Sequence, residues 1–293
     1  VKNYSNSLEV KAVGGIGNQL FCYFAGLHLA KKLKLDLSVD VTDLYKVGAK
    51  HKGTLELLNL EGTFVQRNRQ QLISSRLAYS LITVLSKPKT FRSKVVGYND
   101  AIFSDDKIRR IEGYFQTYIH YFSLVNELQS IKIISPSEWY LEQFDKIATE
   151  NPIVLHVRRG DYVNLSDLYG LLNSDYYVRA IKELSLNGLE RPIWVFSDDI
   201  KEARKLLENS VPRFTNWVMP PINSAPIESM MLMSHASANV IANSTFSWWG
   251  AALNNSNKPV VAPQKWFKGM PDPEFLYPPN WIQIKSSWIK EKV

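Results

Sequence analysis

The chain contains a single cysteine, Cys22, among 293 residues, which excludes an intrachain disulfide and any zinc or iron–sulfur site built on several thiolates. A reducing compartment is therefore expected. Histidine is also scarce: His28, His51, His120 and His235 stand isolated, with no partner His or Cys at metal-ligand spacing. No D-x-D triplet occurs, so no acidic motif for a divalent cation is visible. Apolar runs fall well short of the roughly 18 residues needed to span a bilayer, and the opening VKNYSNSLEV lacks the basic and apolar regions of a signal peptide. A cytoplasmic location is expected, where the formal glycosylation triplets at Asn164, Asn243 and Asn254 carry no meaning. Internal repeats and low-complexity segments are absent as well.

What is present reads as a soluble globular protein with material for a packed core: 45% hydrophobic and 22% charged residues. The length suits two domains of about 150 residues each. A net charge of +7 favours an anionic partner. Lys and Arg are scattered and form no tail or stripe, so a phosphorylated small molecule or an anionic membrane surface fits as well as nucleic acid does.

Near the start, LEVKAVGGIGNQLFCYFAGLHLAKKLKLDLSVDV reads as strand, glycine turn, helix, strand, with Leu20, Phe24 and Leu27 at helical spacing and Lys31, Lys32 and Lys34 at the helix end that favours cations. Residues 45–110 mix basic residues with short apolar runs and are expected to hold helices and long loops. IRRIEGYFQTYIHYF then gives a strand into a helix, and SPSEWYLEQFDKI a helix capped by Ser137. From about residue 150, strands PIVLHVR, PIWVFSD, ANVIAN and KPVVAP alternate with helices of about ten to fifteen residues, the pattern of a parallel sheet covered on both faces. The terminal PDPEFLYPPNWIQIKSSWIKEKV, rich in Pro and Trp, is expected to pack back across the junction between a domain of residues 1–150 and one of residues 151–293.

Ligands of such sheets sit at the carboxyl ends of the strands, where four clusters lie. In GGIGNQLF a glycine turn opens a helix whose amides suit a pyrophosphate, but the dinucleotide fingerprint fails because Leu20 stands where its last glycine belongs. A plain structural turn is the competing reading; Gly17 and the paired amides Asn18 and Gln19 tilt toward a ligand. In HVRRGDY, two adjacent guanidiniums point to opposite sides of a strand end. Arg158 is assigned to the ligand, with His156 on the same side, and Arg159 to neighbouring protein, paired with a carboxylate. In VFSDDI one of Asp198 and Asp199 caps the next helix, leaving the other to accept hydrogen bonds from a base or ribose. In ANSTFSWWG, Asn243, Ser244, Thr245 and Phe246 stand at a helix start suited to an anion, while Trp248 and Trp249 read as core. Together Arg158 and these backbone turns supply positive charge for a departing diphosphate where a metal ion otherwise would.

GGIGNQLFCYFAGLHLA, EGYFQTYIHYF, HVRRGDY, FSDD and ANSTFSWWGAAL, in this order and spacing, resemble the α-1,2-fucosyltransferases of glycosyltransferase family eleven, which share an HxRxG-type motif with α-1,6- and protein O-fucosyltransferases. The resemblance implies a GT-B architecture, two Rossmann-like domains with a central cleft, the second holding GDP-fucose and the first serving the acceptor. It implies metal-independent, inverting transfer of L-fucose from GDP-β-L-fucose to the 2-hydroxyl of a terminal, β-linked galactose, with no cofactor beyond the donor. Arg158 would hold the β-phosphate, His156 lie beside the nucleotide, Asp198 recognise guanine, Ser244, Thr245 and Phe246 line the phosphate site, and Asn18 reach donor or acceptor from the first domain. For the base, Asp161 is the first choice, ahead of Glu228 and His156. Eukaryotic members carry a membrane anchor not seen here, which resembles a bacterial enzyme of surface-polysaccharide assembly, with a lipid-linked acceptor, peripheral contact with the inner membrane and no nucleic-acid partner. Competing readings are another GDP-sugar transferase or O-fucosyltransferase-like enzyme, a glycan-binding module that leaves HVRRGDY idle, and a Rossmann oxidoreductase.

Overall fold

The computed structural model describes residues 6–49, 51–67, 89–212, 215–253 and 258–289. The chain divides into two compact units, Val1–Glu127 with Pro273–Leu276, and Leu128–Asp272 with Tyr277–Val293. Residues 128–150, which the sequence reading placed in the first domain, thus cluster with the second.

In the first unit, strand β1 (Ser7–Lys11) leads through the glycine turn into helix α1 (Ile16–Leu33) and strand β2 (Asp36–Asp40). Leu8 and Val10 alternate with Glu9 along β1, so that one face of the strand packs on α1. Helix α1 is buried almost all round, from Ile16 to Ala30, and surfaces only at its lysine-bearing last turn. Strands β3 (Thr63–Val65), β4 (Lys89–Val96) and β5 (Ile108–Tyr114) complete a five-stranded sheet in the order β3-β2-β1-β5-β4, every pairing parallel. Short helices α2 (Ile119–Phe122) and α3 (Val125–Gln129) follow.

The sequence reading of 45–110 as helices and loops needs correction where the residues are described. Strands β3 and β4 and two short 3-10 turns, Leu55–Leu57 and Asp100–Phe103, stand there, and a third, Thr42–Tyr45, leads into it. Strand β4, KTFRSKVV, is an edge strand whose charged residues keep that edge from pairing further, and the same charges read as loop in the sequence. Of the basic residues in that stretch, Arg69, Arg76 and Lys87 lie outside the described residues.

In the second unit, helix α4 (Glu138–Glu150) begins at Ser137, whose hydroxyl accepts the Tyr140 amide as expected. Strand β6 (Ile153–Val157), helix α5 (Ser174–Leu186), strand β7 (Ile193–Ser197), helix α6 (Ile200–Leu207) and strand β8 (Asn216–Trp217) follow. Then come helix α7 (Pro226–Met233), strand β9 (Ala238–Val240), helix α8 (Thr245–Ala252), strand β10 (Val260–Pro263) and strand β11 (Ile282–Ile284). The sheet runs β11-β10-β9-β6-β7-β8, all parallel. Its central strands β6 and β7 are apolar but for His156 and Ser197 because both faces are covered, and Trp248 and Trp249 are fully buried. Strands β8 and β11, too short to stand out by periodicity, were not anticipated.

The topology fixes where each unit can hold a ligand. In the second, the chain moves outward from β6 through β7 to β8, then returns to β9 on the other side of β6. In the first, β1 stands between β2 and the late strand β5. Each sheet thus has a switch point, at β6/β9 and at β1/β5, and a crevice opens beyond the strand ends there.

Candidate active site

Strand β6 ends in Arg158-Arg159-Gly160 at the switch point of the second sheet. Arg159 is 4% exposed and donates from Nη2 to the Leu172 carbonyl at 2.7 Å. It does bind neighbouring protein, but through a carbonyl rather than the expected carboxylate side chain, and burial lowers its pKa. Arg158 keeps more of its surface. Its Nη2 donates to Asp161 Oδ1 at 2.6 Å, its Nη1 lies 3.0 Å from Asp198 Oδ2, and its guanidinium carbon stands 5.1 Å from the centre of the Tyr162 ring.

Asp198 organises this turn. Its Oδ1 accepts the Arg159 amide at 2.8 Å, and a Cβ on Gly160 would approach its Oδ2 to 2.3 Å, so only glycine lets the chain pass this close. The guanine-reading role expected of Asp198 therefore meets a carboxylate already engaged by the arginine motif. Asp199 takes the other role foreseen for the pair, capping α6 by accepting the Glu202 amide at 3.0 Å.

His156 is 2% exposed, with its ring 5.4 Å from that of Phe246. Burial, with Arg158 adding repulsion, pushes its pKa down to about 3, so the imidazole is neutral. A neutral, enclosed imidazole suits a hydrogen bond to a ligand better than proton abstraction. Three buried polar atoms of this motif lack a partner in the structure: His156 Nδ1, Arg158 Nε and Arg159 Nη1. Buried polar groups are nearly always satisfied, and unsatisfied ones gather at functional sites.

Ser244 precedes α8 without a side-chain cap bond, and no acidic residue occupies the first turn, so the helix supplies no acid of its own to its amide end. Thr245 and Phe246 are half-buried there. Asn243 behaves differently from its expected ligand role: its amide donates to the carbonyls of Tyr169 (2.8 Å), Gly170 (3.2 Å) and Trp266 (3.2 Å), tying three loops together. Tyr162 completes the frame, donating from its hydroxyl to the Asn243 carbonyl at 3.1 Å and stacking on Tyr169 at 4.8 Å. His156, Arg158, Asp161, Asp198 and Phe246 are thereby joined around one switch point.

In the first unit, Gly14 adopts φ +71°, with its missing Cβ facing the Asn18 side chain. Gly17 is buried in the first turn of α1. Gln19 is fully buried and donates to Gly14 O (2.9 Å) and Lys52 O (3.0 Å), a loop clamp rather than a ligand contact. Asn18 Oδ1 accepts from Gln116 Nε2 at 2.9 Å, linking the first turn of α1 to the segment after β5 at that sheet's switch point.

Two further expectations change. Glu228 is neither helix surface nor an available base: it is 5% exposed and accepts the Ser137 amide (2.7 Å) and hydroxyl (3.0 Å), fastening α4 to α7. His28 and His120 are not isolated, since their Nδ1 atoms stand 3.4 Å apart, and burial pushes His120 down to about 3. Among the described residues no group of three or more His, Cys, Asp or Glu is placed to hold a metal ion, and no helix is long and apolar enough to cross a membrane.

A family model described as glycosyl transferase family 11 matches residues 109–285, more than half of the chain and all of the second unit's motifs. The chain belongs to glycosyl transferase family 11. An α-1,2-colitosyltransferase of Escherichia coli is 30% identical to this family 11 chain, over 94% of it and 98% of the relative. The O-antigen biosynthesis glycosyltransferase WbnK of Escherichia coli is 30% identical over 92% and 98%, and a galactoside 2-α-L-fucosyltransferase of Caenorhabditis elegans 26% over 93% and 78%. Among solved structures, NodZ α-1,6-fucosyltransferase crystallised with GDP shares the fold with TM-score 0.50 at 11% identity, covering 85% of this chain and 92% of that one. POFUT1 with GDP-fucose does so with TM-score 0.50 at 13% identity, covering 89% and 99%. The fold is thus α/β of GT-B type, built on two parallel sheets.

The sequence reading quoted Tyr162 and Gln116 inside its motifs without giving either a task. An aromatic three residues after an arginine pair, and an amide two residues after a strand, were the available signals.

Proposed function

We infer that the chain transfers L-fucose from GDP-β-L-fucose to the 2-hydroxyl of a terminal galactose, with inversion, in the assembly of a surface polysaccharide. The observation that carries this reading is the set of cationic and unpartnered groups at the β6/β9 switch point: Arg158, His156 Nδ1 and the amide end of α8, whose first turn holds no acid. Membership of family 11 gives those donors a glycosyl diphosphate to act on.

In the reaction so read, the acceptor oxygen bonds to the anomeric carbon as the bond from that carbon to the β-phosphate oxygen breaks. The electron pair leaves with GDP, and the acceptor proton passes to a base or to solvent. Negative charge grows on the departing diphosphate, and fixed donors aimed there stabilise the transition state without reorganising. Arg158, held by Asp198 and Tyr162, and the first-turn amides of α8 supply them. The base assignment to Asp161 meets the carboxylate's contact with Arg158. The donor's own loss of GDP, well advanced before attack, lessens the need for a base. The acceptor is read as a β-galactoside on a lipid-linked chain and the enzyme as cytoplasmic.

A second donor reading rests on one observation, the 30% identity to a colitosyltransferase. Colitose is L-fucose without its 3-hydroxyl, and a site that hydrogen-bonds a hydroxyl rejects the analogue lacking it, whereas a site that merely encloses the ring accepts both. The test is GDP release in EDTA from each GDP-sugar with a panel of β-galactosides, the product linkage being read by NMR. Acceptor-dependent release with fucose α-linked at O2 is expected. Preference for the 3-deoxy donor would replace fucose with colitose, and activity abolished by chelation would overturn the metal-independent mechanism.

A further inference from the structure

Arg158 and the amide end of α8, the groups read above as facing the diphosphate, sit on parts of the second unit that are built with unequal firmness. Helix α8 is entered through the peptide joining Asn243 to Ser244. The N–H of that peptide donates to the Ala242 carbonyl at 2.8 Å, the Asn243 side chain is tied to three further carbonyls, and Trp248 and Trp249 anchor the helix in the core. Arg158 leads instead into the 3-10 segment Gly160–Leu165, in which no residue is buried. Its terminal nitrogens meet Asp161 at 2.6 Å and Asp198 at 3.0 Å. Two contacts at the tips of a planar fork leave rotation about the line joining them soft.

Tyr162 supplies a third point. Its ring carries the guanidinium carbon 5.1 Å from its centre and stacks on Tyr169 at 4.8 Å, while its hydroxyl donates to the Asn243 carbonyl at 3.1 Å. The peptide that opens α8 therefore also holds the ring on which the guanidinium rests. We propose that Tyr162 is a positioning residue that fixes Arg158 relative to the amide end of α8, so that both bear on one diphosphate. This rests on the reading that these two groups face the donor's diphosphate. The hydroxyl takes its reference from the firmly built helix entry, and the ring passes that reference to the cation, whose placement decides how much charge stabilisation it delivers.

The test is calorimetric titration of the full chain with GDP and with GMP, which lacks the β-phosphate. The variants are Tyr162→Phe, which keeps the ring and removes only its anchor, Tyr162→Leu, which removes both, Arg158→Ala, and Tyr162→Phe combined with Arg158→Ala. Tyr162→Phe is expected to weaken GDP binding about threefold to tenfold, as loss of one neutral hydrogen bond does, and Tyr162→Leu about tenfold to a hundredfold, the cation–π contact being lost as well. GMP should bind each Tyr162 variant within twofold of wild type. In the Arg158→Ala background Tyr162→Phe should change GDP affinity less than twofold, because no guanidinium is left to position. Three results overturn the proposal: GDP affinity of Tyr162→Phe within twofold of wild type, parallel losses on GDP and GMP, or a loss that persists in full without Arg158. A wild type that binds GDP no more tightly than GMP strikes instead at the reading of Arg158 and α8 as the diphosphate site, and removes the proposal with it.

Discussion

Replacing Gly160 by alanine tests the arginine turn with one methyl group. The new Cβ would lie 2.3 Å from Asp198 Oδ2, a distance real contacts essentially never show, and 3.0 Å from its Cγ, so the carboxylate must swing aside. In doing so it gives up the Arg159 amide at 2.8 Å and the Arg158 guanidinium at 3.0 Å. A hydrogen bond to a charged group contributes about 1.5–3 kcal/mol and a partly exposed ion pair at most about 1 kcal/mol, so the substitution should destabilise by about 2–4 kcal/mol. Asp198→Ala loses the same contacts by another route. In that background the added methyl meets only the remaining Cβ of residue 198 at 3.8 Å, an ordinary contact, so the double variant should be less stable than Asp198→Ala by no more than about 0.5 kcal/mol, a coupling of about 1.5–4 kcal/mol. The assay is built into the sequence: all eight tryptophans lie in the second unit, so their fluorescence during urea denaturation reports the unit that holds the turn. Additive losses, within about 0.5 kcal/mol, would show that Gly160 is glycine for some reason other than Asp198.

Arg158→Ala should lose at least about 3 kcal/mol of transition-state stabilisation, and Arg158→Lys should recover little, since an ammonium cannot hold two carboxylate-separated positions at once; kcat/KM within tenfold of wild type for the alanine variant would sink the assignment. Glu228→Ala removes a buried acceptor of two Ser137 hydrogen bonds and should lower stability by about 2–4 kcal/mol, with kcat/KM per folded molecule unmoved; a selective loss of turnover would return Glu228 to the list of bases. His156 is neutral in the folded state with its pKa pushed down to about 3, against about 6.5 unfolded, so below pH 6.5 the unfolded chain binds the extra proton and stability falls with pH. Between pH 6.5 and pH 5 the loss is about 2 kcal/mol, continuing toward pH 3, and tryptophan-monitored denaturation across that range should show it; flat stability would mean the imidazole is hydrated or paired.

The second unit was largely legible in the sequence because its strands are short apolar runs separated by well-capped helices, and a parallel sheet covered on both faces produces that pattern. Ser137, Asn173 and Asp199 each cap the helix that follows them, and Gly188 closes α5 at φ +74°. The site motifs were legible for the same reason, since a strand end is where the apolar run stops. What each polar side chain does there was less so. Asn243, Gln19 and Glu228 look like ligand residues by type, yet each is buried and bound to backbone from a distant part of the chain, and such partners leave no trace in local sequence. Similarly, Arg158 and Arg159 are told apart only by what surrounds them: one guanidinium meets a carbonyl in the interior, the other a pair of carboxylates near water. The first sheet was hardest, because an edge strand such as β4 carries charges at Lys89, Arg92 and Lys94 and so breaks the apolar alternation that marks a strand.

The four residues Pro273–Leu276 carry a consequence for how the protein is made. They belong to the first unit, where the carbonyl of Phe275, a residue held at φ +53°, accepts the Thr117 hydroxyl at 2.7 Å and the Tyr118 amide at 3.0 Å, while Pro273 lies where a side chain on Gly97 would be. A ribosome must therefore synthesise nearly the whole chain before the first unit has all its parts, and the second unit's β11 is synthesised later still. The first unit cannot be expressed as one uninterrupted stretch without the second, and a protease that nicks the chain between Glu127 and Leu128 leaves Pro273–Leu276 of the first unit on the fragment that carries the second.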